Sequence, residues 1–318
     1  MNDQPLVSVI IPNWNGARYL PACLEALHRQ TWAAMEIIVV DNASSDGSQA
    51  LLQRDYPQVR LEALAENRGF AGGVNAGIRV ARGEIIALLN NDTEAEPQWL
   101  AELVQALQAH PEAGAAVGKL KLFDRRDTLQ SAGDSFRSDG LPAMRGVWQQ
   151  DAGQYDREEY VFGGCGGAVA YRRTMLEQIG LFDEKFFFSC EDVDLAWRAQ
   201  LAGWRCIYAP RAVVYHCLSA TGGGVTASYY TGRNTLWVIA QDIPGPILRR
   251  HWREIVSAQW RITRDALRAW RGAAARARLR GQLAGLLSLP RILGQRRAIQ
   301  ATRRADLDYL ESLLEKLP

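Results

Sequence analysis

Short apolar runs alternate with amphipathic stretches through the first 110 residues of the chain. The runs at 7–11, 36–40, 59–64 and 85–89 have the composition and length of buried strands. The stretches between them, at 18–30, 45–54, 71–81 and 98–109, have helical features, such as the spacing of Leu20, Leu24 and Leu27. This alternation predicts an α/β fold in which helices cover both faces of a mostly parallel sheet.

The pattern changes after Val117. A polar stretch at 124–157 is interpreted as a long active-site loop with some strand content. The glycine-rich run 162–171 is predicted to be a strand that a ligand can approach closely. A helix at 192–202 and strands at 206–208 and 213–215 follow. Prolines 244 and 246 precede a helical, arginine-rich extension, so we predict domains at 1–245 and 246–318.

Composition narrows the class of protein. The chain has 318 residues, of which 47% are hydrophobic and 23% are charged, and this is typical of globular proteins. Its five cysteines form no Cys-x-x-Cys pair, which argues against a zinc site or a disulfide framework and favours a reducing cytoplasm. We find neither a signal peptide nor an apolar run of about 20 residues, so any membrane contact is expected to be peripheral.

Polar and acidic residues follow the predicted strands directly. Asp41 ends the second strand, and Asn90-Asn91-Asp92 follows the fourth. Parallel strands deliver such groups to the carboxyl edge of a sheet, where α/β proteins bind ligands. Asp41 is placed to accept hydrogen bonds from a base or ribose, although it could instead cap the next helix. Asn90–Asp92 could likewise be a simple turn.

Five segments in fixed order resemble the family 2 glycosyltransferases, which have the Rossmann-like, nucleotide-binding GT-A fold. They are Val7-Ser8-Val9-Ile10-Ile11-Pro12, Val39-Val40-Asp41-Asn42, Leu88-Leu89-Asn90-Asn91-Asp92, Ser189-Cys190-Glu191-Asp192 and Tyr215-His216. The resemblance runs from about Val7 to Pro244. Tyr229-Tyr230-Thr231-Gly232-Arg233-Asn234 is similar to bacterial rhamnosyltransferase-like members.

The resemblance implies a metal site and a catalytic base. Asp92 matches the last acid of the family's DxD motif and would bind Mg²⁺ or Mn²⁺, with Asn90 in place of the first acid and His216 completing the site. Asn90 contributes no charge, so Asp92 would be the main anionic ligand. Asp192 matches the family's catalytic base, with helix capping as the alternative, and Glu191 is expected to bind acceptor hydroxyls.

The remaining site residues are expected to bind the donor. The glycine-rich entry into the third helix suits an anion, although helix–sheet packing explains its glycines about as well. Arg233 could contact the diphosphate or only pack in its helix, and the run 219–224 is interpreted as a mobile loop over the donor. The predicted donor-binding residues are Pro12, Asn15, Asp41, Gly72, Asn75, Asn91 and Arg233.

The arginine-rich extension permits two interpretations. Tryptophans and other apolar residues recur near helical spacing over 247–270, beside a stripe of arginines. This pattern suits the headgroup region of an anionic bilayer, but it also suits a helix packed on the catalytic domain. No nucleic-acid-binding motif accompanies the charge.

These observations together predict an inverting, metal-dependent glycosyltransferase. Its donor would be dTDP-rhamnose or a UDP-sugar, and its acceptor a saccharide or lipid-linked saccharide in cell-surface polysaccharide assembly. The enzyme would be cytoplasmic, with a peripheral position on the inner face of the membrane as an option. A non-catalytic nucleotide-sugar-binding protein is the main alternative, and a sugar nucleotidyltransferase is a weaker one, since Pro12-Asn13-Trp14-Asn15-Gly16 replaces the expected basic, glycine-rich loop.

Overall fold

A computed structural model describes residues 4–217 and 223–317, and its centre is a mixed sheet. Strands β1 to β4 are parallel neighbours in the order β3-β2-β1-β4, and the sheet continues through β11, β6, β12 and β10. β11 runs antiparallel to both of its neighbours. The strands of this sheet are β1 Val7–Asn13, β2 Met35–Asp41, β3 Arg60–Ala63, β4 Ile85–Leu89, β5 Thr93–Ala95, β6 Ala113–Leu122, β7 Leu129–Ser131, β10 Glu159–Val161, β11 Ala168–Arg172 and β12 Arg205–His216.

Helices cover both faces of the sheet, as the sequence predicted. Val7, Val9 and Ile11 of β1 face a core formed with α1 and α4, whereas Ile10 faces a second core formed with α3, α5 and α6. A central parallel strand buries both of its faces in this way, which explains its continuous apolar run. The helices are α1 Leu20–His28, α2 Ser48–Asp55, α3 Gly69–Val80, α4 Trp99–Ala109, α5 Arg173–Ile179 and α6 Glu191–Leu201.

Two strand predictions need correction. Within the run 162–171 the strand begins only at Ala168 and continues to Arg172, because Gly166 and Gly167 form a turn before it. The segments 206–208 and 213–215 belong to one strand, β12, whose pairing with β6 is irregular between Tyr208 and Val213. Pro210 lies in this irregularity, where a residue without a backbone N–H is tolerated.

The extension after residue 245 packs against the rest of the chain. It contains α8 Gly245–Arg268, α9 Ala273–Leu287, α10 Leu289–Ala301, α11 Leu307–Ser312 and β13 Leu314–Glu315, and it follows α7 Gly224–Gln241. β13 pairs with β8 Asp134–Arg137, which also pairs with β9 Pro142–Met144. Ile255 and Leu310 share a core with Phe136 and Trp197. The domain boundary near 245 stays a prediction.

Glycines bring α7 and α9 close together. A Cβ on Gly281 would lie 2.0 Å from the carbonyl oxygen of Tyr229, and one on Gly232 would lie 2.7 Å from the carbonyl oxygen of Arg278. Such backbone contact requires residues without side chains at the crossing. No helix in the described ranges is both long and apolar enough to cross a bilayer.

Candidate active site

A cavity of about 370 Å³ opens at the carboxyl edge of β1, β2 and β4. The ends of the strands supply Pro12 and Asn13, Asn42, and Asn90 with Asn91. Trp14, which is 46% exposed, lines this cavity directly after β1 and offers an aromatic face to a planar ligand. We call it the donor cavity. The predicted loop over it lies mostly outside the described residues, although Gly223 and Thr226 line the cavity.

Asp41 lies beneath the donor cavity and is fully buried. Its carboxylate accepts hydrogen bonds from Asn13 Nδ2 at 2.9 Å, from the backbone N–H of Ser44 at 3.0 Å and from Gln49 Nε2 at 2.7 Å. These bonds hold the loop after β2 and reach α2 only through the side chain of Gln49, so Asp41 does not cap the N-terminus of that helix. Contact between Asp41 and a nucleotide stays a prediction.

Four other predicted donor-binding residues do not line the donor cavity. Asn15 accepts a hydrogen bond from the backbone N–H of Ser45, and Gly72 packs against the Cβ of Arg68. The side-chain amide of Asn75 donates to the carbonyl oxygen of Phe182 and accepts from the backbone N–H of the same residue. Arg233 lies on α7. Asn91 lines the donor cavity, but its amide donates to Asn13 Oδ1 at 2.7 Å.

Asp92 and His216 meet as the resemblance implied. His216 Nε2 lies 3.1 Å from Asp92 Oδ1, an oxygen that is buried without a well-aligned hydrogen-bond donor. Gln130 Oε1 lies 2.8 Å from His216 Nδ1 and accepts a hydrogen bond from its N–H, which leaves Nε2 with a free lone pair in the neutral ring. Two acceptor atoms facing each other at this distance fit a shared divalent cation.

These two side chains form only part of a coordination shell. Within the described ranges, no group of three or more His, Cys, Asp or Glu side chains could hold a metal ion. Asn90, the third predicted ligand, lines the donor cavity and packs against Gly167. A cation held by Asp92 and His216 would therefore take further oxygen ligands from the diphosphate or from water.

A second cavity of about 390 Å³ adjoins the donor cavity, and we call it the catalytic cavity. The two cavities share Phe70, Asn90 and Phe188. The glycine-rich segment 163–167 forms one wall, and the close approach of a ligand to it stays a prediction. Asp192 lines the cavity from the first turn of α6.

Glu191 is buried in this wall and Asp192 is half-buried, and the two acids differ in their hydrogen bonds. Asp192 accepts from the backbone N–H of Gly166 at 3.1 Å and from that of Val193 at 2.8 Å. Burial raises the pKa of Asp192. Burial and the neighbouring Asp192 charge raise the pKa of Glu191 well above its usual range, and Glu191 Oε2 has no partner within the described residues. We therefore assign the negative charge to Asp192 and a proton to Glu191.

The loop that leads into α6 is strained and clamped. Phe187, Ser189 and Cys190 have positive φ angles of 62°, 70° and 68°. Asn234 Nδ2 lies 2.6–3.0 Å from the carbonyl oxygens of Phe186, Phe188 and Ser189. Conformations of this kind cost about 1–3 kcal/mol per residue and persist only where surrounding structure holds them.

Arg233 completes the clamp. Its Nε donates to Asn234 Oδ1 at 2.8 Å, and its Nη2 donates to the carbonyl oxygens of Lys185 and Phe186. Its guanidinium lies 4.1 Å from the ring centroid of Trp237. These contacts favour the packing alternative for Arg233, and its contact with a diphosphate stays a prediction.

Sequence reasoning missed Asp134 in the catalytic cavity. Burial, followed by the nearby charge of Asp192, raises the pKa of Asp134 to about 8, and its Oδ1 accepts from Ser131 Oγ. It also missed Trp14, Asn42, Gln130 and Asn234. Of these residues, only Trp14 could have been found from the sequence, because a tryptophan directly after the first strand is a recognisable signal. The roles of the others depend on contacts between distant segments.

Asp194 and Arg198, which lie four residues apart on α6, form an ion pair. Arg198 Nε and Nη2 donate to Asp194 Oδ2 at 2.9 and 2.7 Å, in a buried position on α6. Arg198 also bonds the carbonyl oxygens of Ile179, Gly180 and Leu181. The pair therefore holds α6 against the end of α5.

Comparison with known families places this geometry in context. The model of the family described as "Glycosyl transferase family 2" matches residues 8–180, which is more than half of the chain. The match includes the residues of the donor cavity up to Asn91, as well as Asp92. Glu191, Asp192 and His216 lie beyond it.

Two curated relatives differ in how much of their length this chain spans. The uncharacterized protein y4gI of Sinorhizobium fredii is 32% identical over 70% of this chain, which spans only 26% of that relative. An N-acetylglucosaminyl-diphospho-decaprenol L-rhamnosyltransferase of Mycobacterium tuberculosis is 28% identical, and the alignment covers 96% of this chain and 98% of the relative.

A solved structure has the same fold. The mannosyltransferase PcManGT of Pyrobaculum calidifontis, in complex with GDP-Man and Mn²⁺, superposes with a TM-score of 0.55. The alignment covers 95% of this chain and 86% of that one, with 18% sequence identity. The GT-A fold that the sequence predicted is confirmed.

Proposed function

Because this chain belongs to glycosyltransferase family 2, we propose that it transfers a sugar from a nucleotide diphosphate donor to a saccharide hydroxyl, with inversion at the anomeric carbon. The proposal depends on one observation, which is that the catalytic cavity directly adjoins the donor cavity. Asp192, a half-buried carboxylate held by two backbone N–H groups, lines the cavity next to the one at the carboxyl edge of the sheet.

Asp192 is suited to act as the general base. Its raised pKa strengthens it as a proton acceptor, while the two N–H bonds keep it ionised and fixed in direction. In the proposed reaction, an acceptor hydroxyl in the catalytic cavity loses its proton to Asp192 as its oxygen attacks the anomeric carbon. The nucleoside diphosphate leaves from the opposite face, and this geometry inverts the configuration.

The protonated Glu191 and Asp134 would serve the acceptor in another way. A neutral carboxyl can donate one hydrogen bond and accept others, which suits the hydroxyls of a sugar. Asp134 reaches the cavity from β8, and Glu191 is the neighbour of the base. Glu191 therefore keeps its proposed role in acceptor binding, and Asp134 joins it.

We propose that Asp92 and His216 hold Mn²⁺ or Mg²⁺ in the loaded enzyme, with Asn90 as a weaker neutral contributor. The orphaned Asp92 oxygen and the free His216 nitrogen fit such an ion. When bound, the ion would neutralise charge on the departing diphosphate. Gln130 keeps His216 in the tautomer that can serve as a ligand.

The donor and acceptor are proposed from the similar rhamnosyltransferase. Its name specifies an L-rhamnosyl group and an acceptor linked through a diphosphate to decaprenol. We propose dTDP-rhamnose or a UDP-sugar as the donor here and a lipid-linked saccharide as the acceptor, in cell-surface polysaccharide assembly. Such an acceptor would place the enzyme at the inner face of the cell membrane.

A donor panel tests this function. The protein is incubated with UDP-, dTDP- and GDP-sugars, an alkyl glycoside acceptor, and Mn²⁺, Mg²⁺ or chelator, and nucleoside diphosphate release is measured. We expect metal-dependent release from one donor. Asp192→Asn should lower kcat by roughly 10²- to 10⁴-fold, because the base is lost, and leave donor affinity nearly unchanged.

Asp92→Ala is the matched variant for the metal. It should weaken donor binding in Mn²⁺ and have little effect on donor binding in chelator, whereas Asp192→Asn should bind the donor as the wild type does and lose turnover. Normal transfer by both variants would contradict the site assignment. Tight donor binding with no turnover in the presence of any acceptor would favour a non-catalytic binding protein.

A further inference from the structure

A third cavity, of about 200 Å³, continues from the catalytic cavity between the β8–β9 hairpin and helices α7, α8 and α9. The two cavities share Pro142 and Thr231. The third cavity has no lining residue in common with the donor cavity. We call it the rear groove, since the catalytic cavity lies between it and the donor cavity.

An arginine without a counter-ion lines the rear groove. Arg278 of α9 is half-buried, and it has no hydrogen bond or ion pair with the side chains or backbone in the described ranges. Burial lowers the pKa of its guanidinium, which nevertheless remains charged at neutral pH. A partly desolvated cation without a partner is unfavourable, and an anion would relieve that cost.

An amide donor in the same groove also lacks a partner. Gln259 Nε2 of α8 is buried and has no acceptor within 4–217 and 223–317. Gln282, across the groove on α9, accepts from Thr263 Oγ1 at 3.2 Å. None of the described residues that line the groove is acidic. A cation and a neutral donor therefore face a space that contains no protein anion.

We propose that the rear groove binds the phosphate or diphosphate through which the acceptor saccharide is joined to its carrier. This inference rests on the proposed function, because the acceptor sugar must lie beside Asp192 in the catalytic cavity. Its linking phosphate would then pass between Pro142 and Thr231 to Arg278. Guanidinium and amide N–H groups are suited to phosphate oxygens, and Arg278 can donate two bonds at once.

Acceptor kinetics test the groove. Three acceptors share one sugar and carry an uncharged alkyl group, an alkyl phosphate or an alkyl diphosphate. In Arg278→Gln we expect the KM for the charged acceptors to rise by roughly 10- to 100-fold, with the KM for the uncharged acceptor and for the donor unchanged. Arg280→Gln, at an exposed position on the same helix, is the control and should behave as wild type.

Two kinetic results would overturn the proposal. One is an equal rise in KM for charged and uncharged acceptors, which would mean that Arg278 only supports the helix packing. The other is a rise in the donor KM alone, which would assign Arg278 to the departing diphosphate.

A binding measurement separates this inference from the proposed function. Inorganic pyrophosphate is titrated calorimetrically into the wild type, Arg278→Gln and Arg280→Gln in chelator, so that no metal supports binding at the donor cavity. Binding that is lost only in Arg278→Gln supports the anion site, even if no transfer is detected with any donor. Equal binding by all three proteins, or none by the wild type, overturns it.

Discussion

Glu191 and Asp192 are adjacent acids with different hydrogen bonds, and this difference has a measurable consequence. Asp192 must be ionised to accept a proton, and its pKa is raised by burial. Activity should therefore be complete above that raised pKa and fall as the pH is lowered through it. This acidic limb should lie above pH 4, the usual range of an aspartate.

The pH dependence is measured as kcat/KM from pH 4.5 to 9, with donor affinity measured at the same values. A tenfold loss of kcat/KM per pH unit on the acidic side, with unchanged donor affinity, would support one essential base. A rate that falls only in parallel with donor affinity would instead assign the titration to the donor cavity.

At the residue scale, the sequence motifs predicted which residues lie near one another better than they predicted which atoms those residues contact. The resemblance indicated that Asp92 and His216 would meet, and their side chains lie 3.1 Å apart. It gave no indication that Gln130 fixes the tautomer of His216, because glutamine carries no recognisable signal. Asn75 and Arg233 were assigned to the donor, yet their present partners lie at Phe182 and at Lys185. Such long-range contacts have no local pattern.

At the element scale, the strained loop before α6 depends on α7. Asn234→Ala removes the amide that bridges three carbonyl oxygens, while Arg233 keeps its bonds to Lys185 and Phe186. We expect the positive φ angles of the loop to relax and Asp192 to lose its alignment. A small misplacement of a catalytic group can cost roughly 100-fold in rate.

Steady-state kinetics and thermal unfolding test this expectation. The variant should lose kcat by roughly 10- to 100-fold while the donor KM changes little. Thr263→Val, which removes a side-chain hydrogen bond between α8 and α9 outside the loop, is the control for general destabilisation. An equal loss of kcat in both variants would show that stability, not loop geometry, controls the rate.

The sequence predicted the ends of strands most accurately where the strands are most deeply buried. Ends of β1, β2 and β4 agree with the sequence to within two residues, since these strands bury both faces and read as continuous apolar runs. The prediction of a strand over the glycine run 162–171 is wrong for the first half of that run. Glycine permits both an extended strand and a turn, and only the packing of Gly164 against Val117 and of Gly166 against Phe70 reveals which one forms.

At the scale of the whole molecule, α8 has one apolar face that packs on the protein and a second that is exposed. Ile247, Ile255 and Ala258 are buried against the rest of the protein. A separate stripe on the same helix is exposed, with Trp252 at 52%, Trp260 at 64%, Val256 and Leu267, and Trp270, just after the end of the helix, is exposed as well. The sequence could not distinguish the two faces, because both are apolar.

We predict that this exposed stripe binds anionic membranes. Trp252→Ser combined with Trp260→Ser should lower the partition coefficient onto vesicles with 30 mol% phosphatidylglycerol by at least roughly tenfold, since two interfacial aromatic contacts are lost. Cosedimentation measures the effect. Trp148→Asn is the control, because Trp148 is 60% exposed on another part of the molecule.

The salt dependence of binding completes this test. Arginines beside the stripe should make binding to anionic vesicles weaker as ionic strength rises, and binding to neutral vesicles should be much weaker at any salt concentration. Unchanged partition of the double variant would contradict the membrane interpretation of α8.

The pairing of β13 with β8 also determines when the catalytic cavity can be completed during synthesis. Leu314 lies beside Phe136, and Ser135 Oγ donates to Glu315 Oε2 at 2.7 Å, although about 180 residues separate these partners. β8 supplies Asp134 to the cavity wall, so this wall remains unsupported until residues 314–315 have left the ribosome. The nascent chain can thus form its parallel sheet, and with it the donor cavity, well before it can hold an acceptor.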